Sequence, residues 1–353
     1  MSPAPIRAVP TNIITGFLGV GKTTAIVKLL KNKPANERWA VLVNEFGEVG
    51  VDGGIYEGQF SQQQGVFIRE VPGGCMCCTA GLPMQIALNQ LLQRARPDRL
   101  LIEPTGLGHP KEVLAVLAAE YYVDVLKVQQ CITLIDARKL SDPRYTEHGS
   151  FNQQIDMADV IIGNKADLYG AADQQRLHTY VQGRFQSGKV PPVYFTQHGE
   201  IDCGLLQGQS AFVAQPVKKA CNVAAKKATE NGHPAHARQP AIAHGLTEPA
   251  ILLSGFIKRE NAGDGYQSVG WRFAPSNIFD RERIVAWLTP LRVERLKAVF
   301  ITDSGVFSYN KTPDGITETA LDDCDESRIE IIASQVNATL EPGLLRCISV
   351  VKR

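Results

Sequence analysis

The sequence predicts an α/β protein, with a larger domain on a mostly parallel sheet followed by a smaller α+β domain. Three observations carry that expectation. Through the first two hundred residues, continuous apolar runs of strand length alternate with helical patterns, as βαβ units require when strands are buried on both faces. From about Pro216 the chain turns polar and rich in Lys and Ala, with no apolar period that would bury a face. Order returns near Ile251. A chain of 353 residues also exceeds what one small core supports.

Taken in order, Thr11–Thr15 reads as the first strand and leads through a Gly-rich turn into a helix from Thr23 to Leu30. Trp39–Asn44, Arg99–Glu103, Gln130–Asp136, Val160–Asn164 and Val193–Phe195 supply five more strands, with helices at Pro83–Arg94 and Pro110–Glu120. Past the polar segment, strands are expected at Ile251–Lys258, Gly270–Phe273, Leu296–Ile301, Gly305–Tyr309 and Ile329–Ile332, and helices at Asp280–Leu288 and Ala333–Leu340. The domains are therefore 11–210 and 247–353, joined by a flexible linker over 211–246 that holds His233, His236 and His244. Those histidines read equally as a loose metal tether or as solvated side chains. Trp271, Trp287 and Cys324 read as packing residues. The C-terminal domain is left to bind a client or a second copy, with no residue-level argument for either.

A formal net charge of +1 gives no electrostatic case for nucleic acid or an anionic membrane as partner. No secretory signal and no membrane-length apolar run is read, so a cytoplasmic setting with reduced thiols is expected.

Gly16-Phe17-Leu18-Gly19-Val20-Gly21-Lys22-Thr23-Thr24 fits G-x-x-x-x-G-K-[ST] between a strand and a helix, the context a phosphate-binding P-loop demands. The glycines let backbone N–H groups converge on phosphate oxygens at a helix N-terminus. Lys22 would neutralise β/γ-phosphates and the Thr23 hydroxyl would ligate Mg²⁺. Asn164-Lys165-Ala166-Asp167 fits N-K-x-D after the fifth strand, and its carboxylate suits the two guanine donors that adenine lacks, so the expected nucleotide is GTP. Glu103-Pro104-Thr105-Gly106 places a carboxylate and a glycine at the third strand's end. Glu103 is expected to organise the water or Mg²⁺ shell, and the Gly106 N–H to sense the γ-phosphate. Between them, Asn44–Asp52 stands where a first switch belongs. Its three carboxylates, Glu45, Glu48 and Asp52, fit either a solvated loop or a hydrolytic or metal role.

Cys75, Cys77 and Cys78 put three of the chain's eight cysteines into four residues. In extended backbone Cys75 and Cys77 point the same way, and Gly73 and Gly74 permit a bend that brings in Cys78. Paired thiolates suit Zn²⁺ first, with Glu45, Glu48 or His109 as further donors. An exchangeable metal site, a structural zinc knuckle, a redox pair and buried inert thiols all remain open on these residues alone.

GFLGVGKTT, NEFGE, GCMCC, EPTG and NKAD, in that order, resemble the CobW family of P-loop GTPases, over residues 11 to about 205 and again over 247–353. Val71–Cys78 and Leu101–Pro110 look closest to its bacterial YeiR branch, regarded as zinc-binding GTPases. The resemblance implies a P-loop NTPase domain and a metallochaperone of slow turnover. In such a protein GTP and Mg²⁺ shape the cysteine site, and hydrolysis to GDP releases metal to an unidentified client metalloprotein. Delivery of cobalt or nickel, a non-enzymatic zinc sensor or buffer, and an ATPase or kinase are the rival readings. Two departures limit the carry-over. Val43 stands where several relatives carry an acidic residue, and the N-terminus lacks the Cys-rich lead some relatives use for docking a client.

Overall fold

A computed structural model describes residues 5–43, 56, 59–60, 62–71, 82–108, 110–185, 188–212, 255–263 and 265–349. Strands β1 (Val9–Gly16), β2 (Trp39–Val43), β3 (Val66–Glu70), β4 (Arg99–Glu103), β5 (Leu126–Ile135), β6 (Val160–Gly163) and β7 (Val193–Phe195) form one sheet in the order β3-β2-β4-β1-β5-β6-β7. Every pairing in it is parallel. Helices α1 (Lys22–Lys31), α2 (Leu82–Ala95), α3 (Pro110–Leu117), α4 (Pro143–Thr146), α5 (Gly149–Asp156) and α6 (Asp173–Arg184) accompany it. In α1, Ile26, Leu29 and Leu30 recur at helical spacing and are buried against Ile14, Val41 and Leu134 of the strands. Each such burial contributes roughly 1.5–3 kcal/mol.

The chain leaves β1 toward β2 and β3, returns as β4 beside β1, and then crosses to β5 on its other side. Such a reversal opens a crevice at the carboxyl ends of the strands, where ligands bind in open α/β sheets.

The second sheet is antiparallel, in the order β12-β11-β10-β13-β9-β8. Its strands are β8 (Phe256–Gly263), β9 (Tyr266–Phe273), β10 (Arg295–Thr302), β11 (Gly305–Thr312), β12 (Gly315–Leu321) and β13 (Ser327–Ala333). One face carries Val269, Trp271, Leu296, Ala298, Phe300, Ile329 and Ile331 and packs on helices α7 (Arg281–Leu288) and α8 (Leu340–Leu345). Trp287 and Cys324 are also packing residues, as expected.

Several elements differ from the sequence reading. The Ala333–Leu340 helix does not form: Ala333 ends β13, paired with Gln267, and a helix starts only at Leu340. Pro342 then falls in its first turn, where a missing N–H costs nothing. Strand β8 starts at Phe256, later than expected, and residues 251–254 lie outside the described residues, as does the expected linker from 213 onward. The Pro110–Glu120 helix stops at Leu117 and gives way to a 3₁₀ turn at Glu120–Tyr122. Strands β3 and β12 and helices α4, α5 and α6 were not foreseen.

The two domains meet through an aromatic cluster. Phe17, at the tip of the Gly-rich turn, contacts Tyr145, His148 and Phe151 and, from β9, Tyr266, all at edge-on angles. Arg144 pairs with Glu294 across the same junction at 3.1 Å. No helix among the described residues is long and apolar enough to cross a membrane.

Candidate functional site

The turn between β1 and α1 depends on glycine at two points in particular. Gly16 has φ +146° and Gly21 φ +101°, and a Cβ would come within 2.5 Å of the Leu134 carbonyl oxygen at the first and 2.6 Å of Asn164 Nδ2 at the second. No other residue fits these positions without displacing backbone or a buried amide. The tight bend sets the N-terminus of α1, with its unsatisfied amides and positive dipole end, at the mouth of the crevice. Lys22 is buried and its ammonium donates to the Gly16 carbonyl at 2.9 Å, lying across the loop. Thr24 is exposed at the start of the helix.

Thr23 and Glu103, eighty residues apart, meet directly. The Thr23 hydroxyl donates to Glu103 Oε1 at 2.8 Å, and Tyr56 Oη donates to Oε2 at 2.6 Å. Burial pushes the Glu103 carboxyl above its ordinary range, opposed by the Lys22 charge, by the Tyr56 and Thr23 hydrogen bonds and by Arg295. Gly106, three residues on, lies so close to the P-loop that a Cβ would stand 2.7 Å from the Leu18 side chain and 3.0 Å from its amide nitrogen. Gln154 Nε2 donates to the Gly106 carbonyl at 3.0 Å and holds that turn down.

At the end of β6, Asn164 is buried and works as a clamp. Its Nδ2 donates to the Val20 carbonyl at 2.8 Å, and its Oδ1 accepts from the Gly199 amide at 3.1 Å. The P-loop, the N-K-x-D turn and the loop after β7 are thereby tied together. Lys165 takes a left-handed conformation at φ +62°, and Asp167, in the 3₁₀ turn Ala166–Leu168, is exposed and presents its carboxylate outward.

Gly16, Gly19, Gly21, Lys22, Thr23, Thr24, Glu103, Gly106, Asn164, Lys165 and Asp167 thus converge at one end of the parallel sheet. Cys75, Cys77, Cys78, His109, the Asn44–Asp52 segment with Glu45, Glu48 and Asp52, and His233, His236 and His244 lie outside the described residues. Among the described residues no group of three or more His, Cys, Asp or Glu is placed to hold a metal ion. The strand ends that flank two of those segments are instructive. Val43, just before Asn44, pairs with both Glu70 and Glu103, and the Val71 amide, four residues ahead of Cys75, donates to the Val43 carbonyl at 2.9 Å.

The donor set fits Mg²⁺, a hard cation that takes oxygen ligands. A hydroxyl and a carboxylate meet beside the P-loop, and a cation is already drawn onto the hydroxyl: Lys297 of β10 donates to Thr23 Oγ1 at 2.7 Å. Sequence reasoning missed Lys297, Tyr56 and Asp314. The last accepts from Lys165 at 2.8 Å and from both Arg138 terminal nitrogens at 2.9 Å. Those bonds, from Arg138 first, hold the Asp314 carboxyl well below the usual carboxylate range. The available signal for Lys297 was two cations at alternate positions, Arg295 and Lys297, in an otherwise apolar strand.

Comparison with known proteins gives a consistent picture. Residues 10–190 match the family described as "CobW/HypB/UreG, nucleotide-binding domain". The chain is 39% identical over 326 residues to "Zinc chaperone YeiR" of Escherichia coli (strain K12), covering 92% of this chain and 93% of that one. It is 32% identical over 221 residues to "Zinc chaperone YjiA" of the same organism, covering 60% of this chain and 64% of that one. The solved structure of Zn(II)-bound YjiA GTPase from E. coli covers 98% of this chain and 100% of its own. Its 19% identity and TM-score of 0.43 are too loose to transfer positions.

Proposed function

Because the chain belongs to the CobW/HypB/UreG family of P-loop proteins, we propose that it is a GTP-hydrolysing zinc metallochaperone that binds its cargo at Cys75, Cys77 and Cys78. The observation that supports this most is the Thr23–Glu103 hydrogen bond at the same sheet end as the Asn164–Val20 clamp. It joins a phosphate loop, a strand-end carboxylate and a base-reading turn in one crevice.

In this reading the backbone amides of Gly19 to Thr24 and the Lys22 ammonium hold the triphosphate. Lys22 rests on the Gly16 carbonyl and would exchange that acceptor for phosphate oxygens. Thr23 would hold Mg²⁺ with Glu103 behind it, and the ion, when bound, neutralises charge that develops on the phosphate oxygens. Gly106, which packs against Leu18 of the P-loop too closely for any side chain of its own, would offer its N–H to the γ-phosphate. Asn164 positions the P-loop against the base pocket. The Asp167 carboxylate accepts from guanine N1–H and the exocyclic amine, and hydrolysis yields GDP and phosphate.

The zinc part of the proposal draws on the thiol cluster and on curated relatives that are themselves called zinc chaperones. Its coupling to nucleotide draws on the strand register. The chain enters the Asn44–Asp52 segment from the end of β2, beside Glu103, and the cysteine segment from the end of β3, one strand further out and tied to Val43. A change in what Glu103 and Thr23 hold is therefore felt at the root of both. The client is a metalloprotein that accepts Zn²⁺ on hydrolysis.

Multiple-turnover phosphate release with excess GTP or ATP, in the wild type and in Asp167→Ala, tests the nucleotide assignment. The wild type is expected to prefer GTP strongly and the variant to lose that preference. Equal turnover of ATP by the wild type, or retained guanine selectivity in Asp167→Ala, would overturn it.

A further inference from the structure

The cation on Thr23 comes from the other domain. Lys297 lies in β10, two hundred and seventy-four residues from Thr23, and is 7% exposed. Side chains alternate along a strand. Leu296, Ala298 and Phe300 therefore face the helices, while Arg295 and Lys297 face the P-loop. Arg295 is buried too, with its guanidinium 3.8 Å from Glu330, the cross-strand neighbour of Lys297. The opposite end of the crevice is met by the same sheet. Asp314, in the turn after β11, pairs with Lys165 of the base-reading motif and with Arg138. Thr312, beside it, stands 3.4 Å from where a Cβ on Gly19 would lie.

We propose that the nucleotide site is completed by the C-terminal domain, whose Lys297 holds the Mg²⁺ position on Thr23 until a Mg²⁺-nucleotide displaces it. This rests on the nucleotide reading above. The Thr23 hydroxyl has one proton, and that proton is given to Glu103. Only its lone pairs remain, and Lys297 takes one of them. A dication bound to the same oxygen would sit against the ammonium in a buried, weakly screened setting, so the two exclude each other. The anionic phosphates of a nucleotide without metal, diphosphate or triphosphate, have the opposite effect and attract Lys297. Lys297 therefore favours metal-free nucleotide and opposes the metal-loaded form. In this way the docked domain senses whether the bound nucleotide carries Mg²⁺.

That double sign separates the proposal from a merely structural role. The test is a titration of the full-length protein with N-methylanthraniloyl-GDP, first in excess EDTA and then with rising Mg²⁺. It compares the wild type, Lys297→Met and Lys297→Arg, with thermal melting to confirm folding. Lys297→Met is expected to bind the metal-free nucleotide several-fold more weakly and to need about tenfold less Mg²⁺ at the midpoint, within the usual span of coupling between sites. Lys297→Arg, still cationic, should stay near the wild type on both counts. Should Lys297→Met fail to fold, Lys297→Gln, uncharged and polar, serves in its place with the same expectation. Equal Mg²⁺ midpoints for charged and uncharged variants would overturn the inference while leaving the nucleotide reading intact. A higher Mg²⁺ requirement in Lys297→Met would also overturn it. Failure of all the folded proteins to bind the nucleotide would instead sink the nucleotide reading, and the inference with it.

Discussion

The two sheets of this protein assemble chemistry in different ways. In the parallel sheet, functional groups sit just past the carboxyl ends of the strands: Lys22 and Thr23 after β1, Glu103 at the end of β4, Asn164 after β6. Each belongs to a short contiguous motif, and the fold only has to bring the strand ends together. In the antiparallel sheet, charged groups lie on one face and become neighbours through register. Arg295 and Lys297 come from β10, Glu330 from β13 opposite Lys297, and Arg328 reaches Glu70 of the first domain at 3.7 Å. No stretch of sequence contains that constellation. Chemistry at strand ends is written locally, whereas chemistry on a sheet face is written by pairing.

If that division is right, the two sheets should fail differently under substitution. The largest effect is expected at Lys22. Lys22→Ala should cut GTP turnover by at least about 100-fold, the usual scale for removing a preorganised charge-stabilising donor. Its urea midpoint should change less than its turnover, because the bond its ammonium makes to the Gly16 carbonyl lies within the loop and not in a hydrophobic core. Normal turnover in Lys22→Ala would break the assignment of phosphate chemistry to the first sheet. Phe300→Ala should do the reverse. Phe300 is fully buried, with rings of Phe279 at 4.7 Å and Tyr309 at 6.0 Å, on the helix-packed face away from the P-loop. Its loss should cost about 3–5 kcal/mol of stability, read by urea denaturation with tryptophan emission, since Trp271 and Trp287 report on this core. A cost below about 1 kcal/mol would mean that this face does not hold the second sheet together.

The same contrast explains what was legible in the sequence. Fold class followed from local patterns, the GFLGVGKTT, EPTG and NKAD motifs are contiguous in the chain, and Arg99–Glu103 and Val193–Phe195 form strands with the expected bounds. The missed elements are those with weak patterns. Strand β3 is VFIRE at a sheet edge with only Val66 fully buried, and β12 is GITETAL with only Leu321 buried. Helix α6 buries Leu177 and Val181 with few other apolar residues, so its period is faint. The Ala333–Leu340 stretch holds good helix formers in Ala333, Gln335, Ala338 and Leu340, but sheet pairing claimed Ala333. Tyr56, Lys297 and Asp314 touch the site only through tertiary structure. The thiol cluster is plain in the sequence, while its geometry lies outside the described residues.

In the proposed chaperone nucleotide state governs metal binding, and an anaerobic Zn²⁺ titration against a competing chelator measures that coupling. The protein is titrated with and without Mg²⁺ and a non-hydrolysable GTP analogue, with Cys75→Ala, Cys77→Ala double-variant protein as control. Zn²⁺ affinity is expected to depend on the cysteines and to be tighter in the GTP-analogue state. Equal affinity in both states would contradict that coupling and leave the cysteine cluster a structural or buffering site.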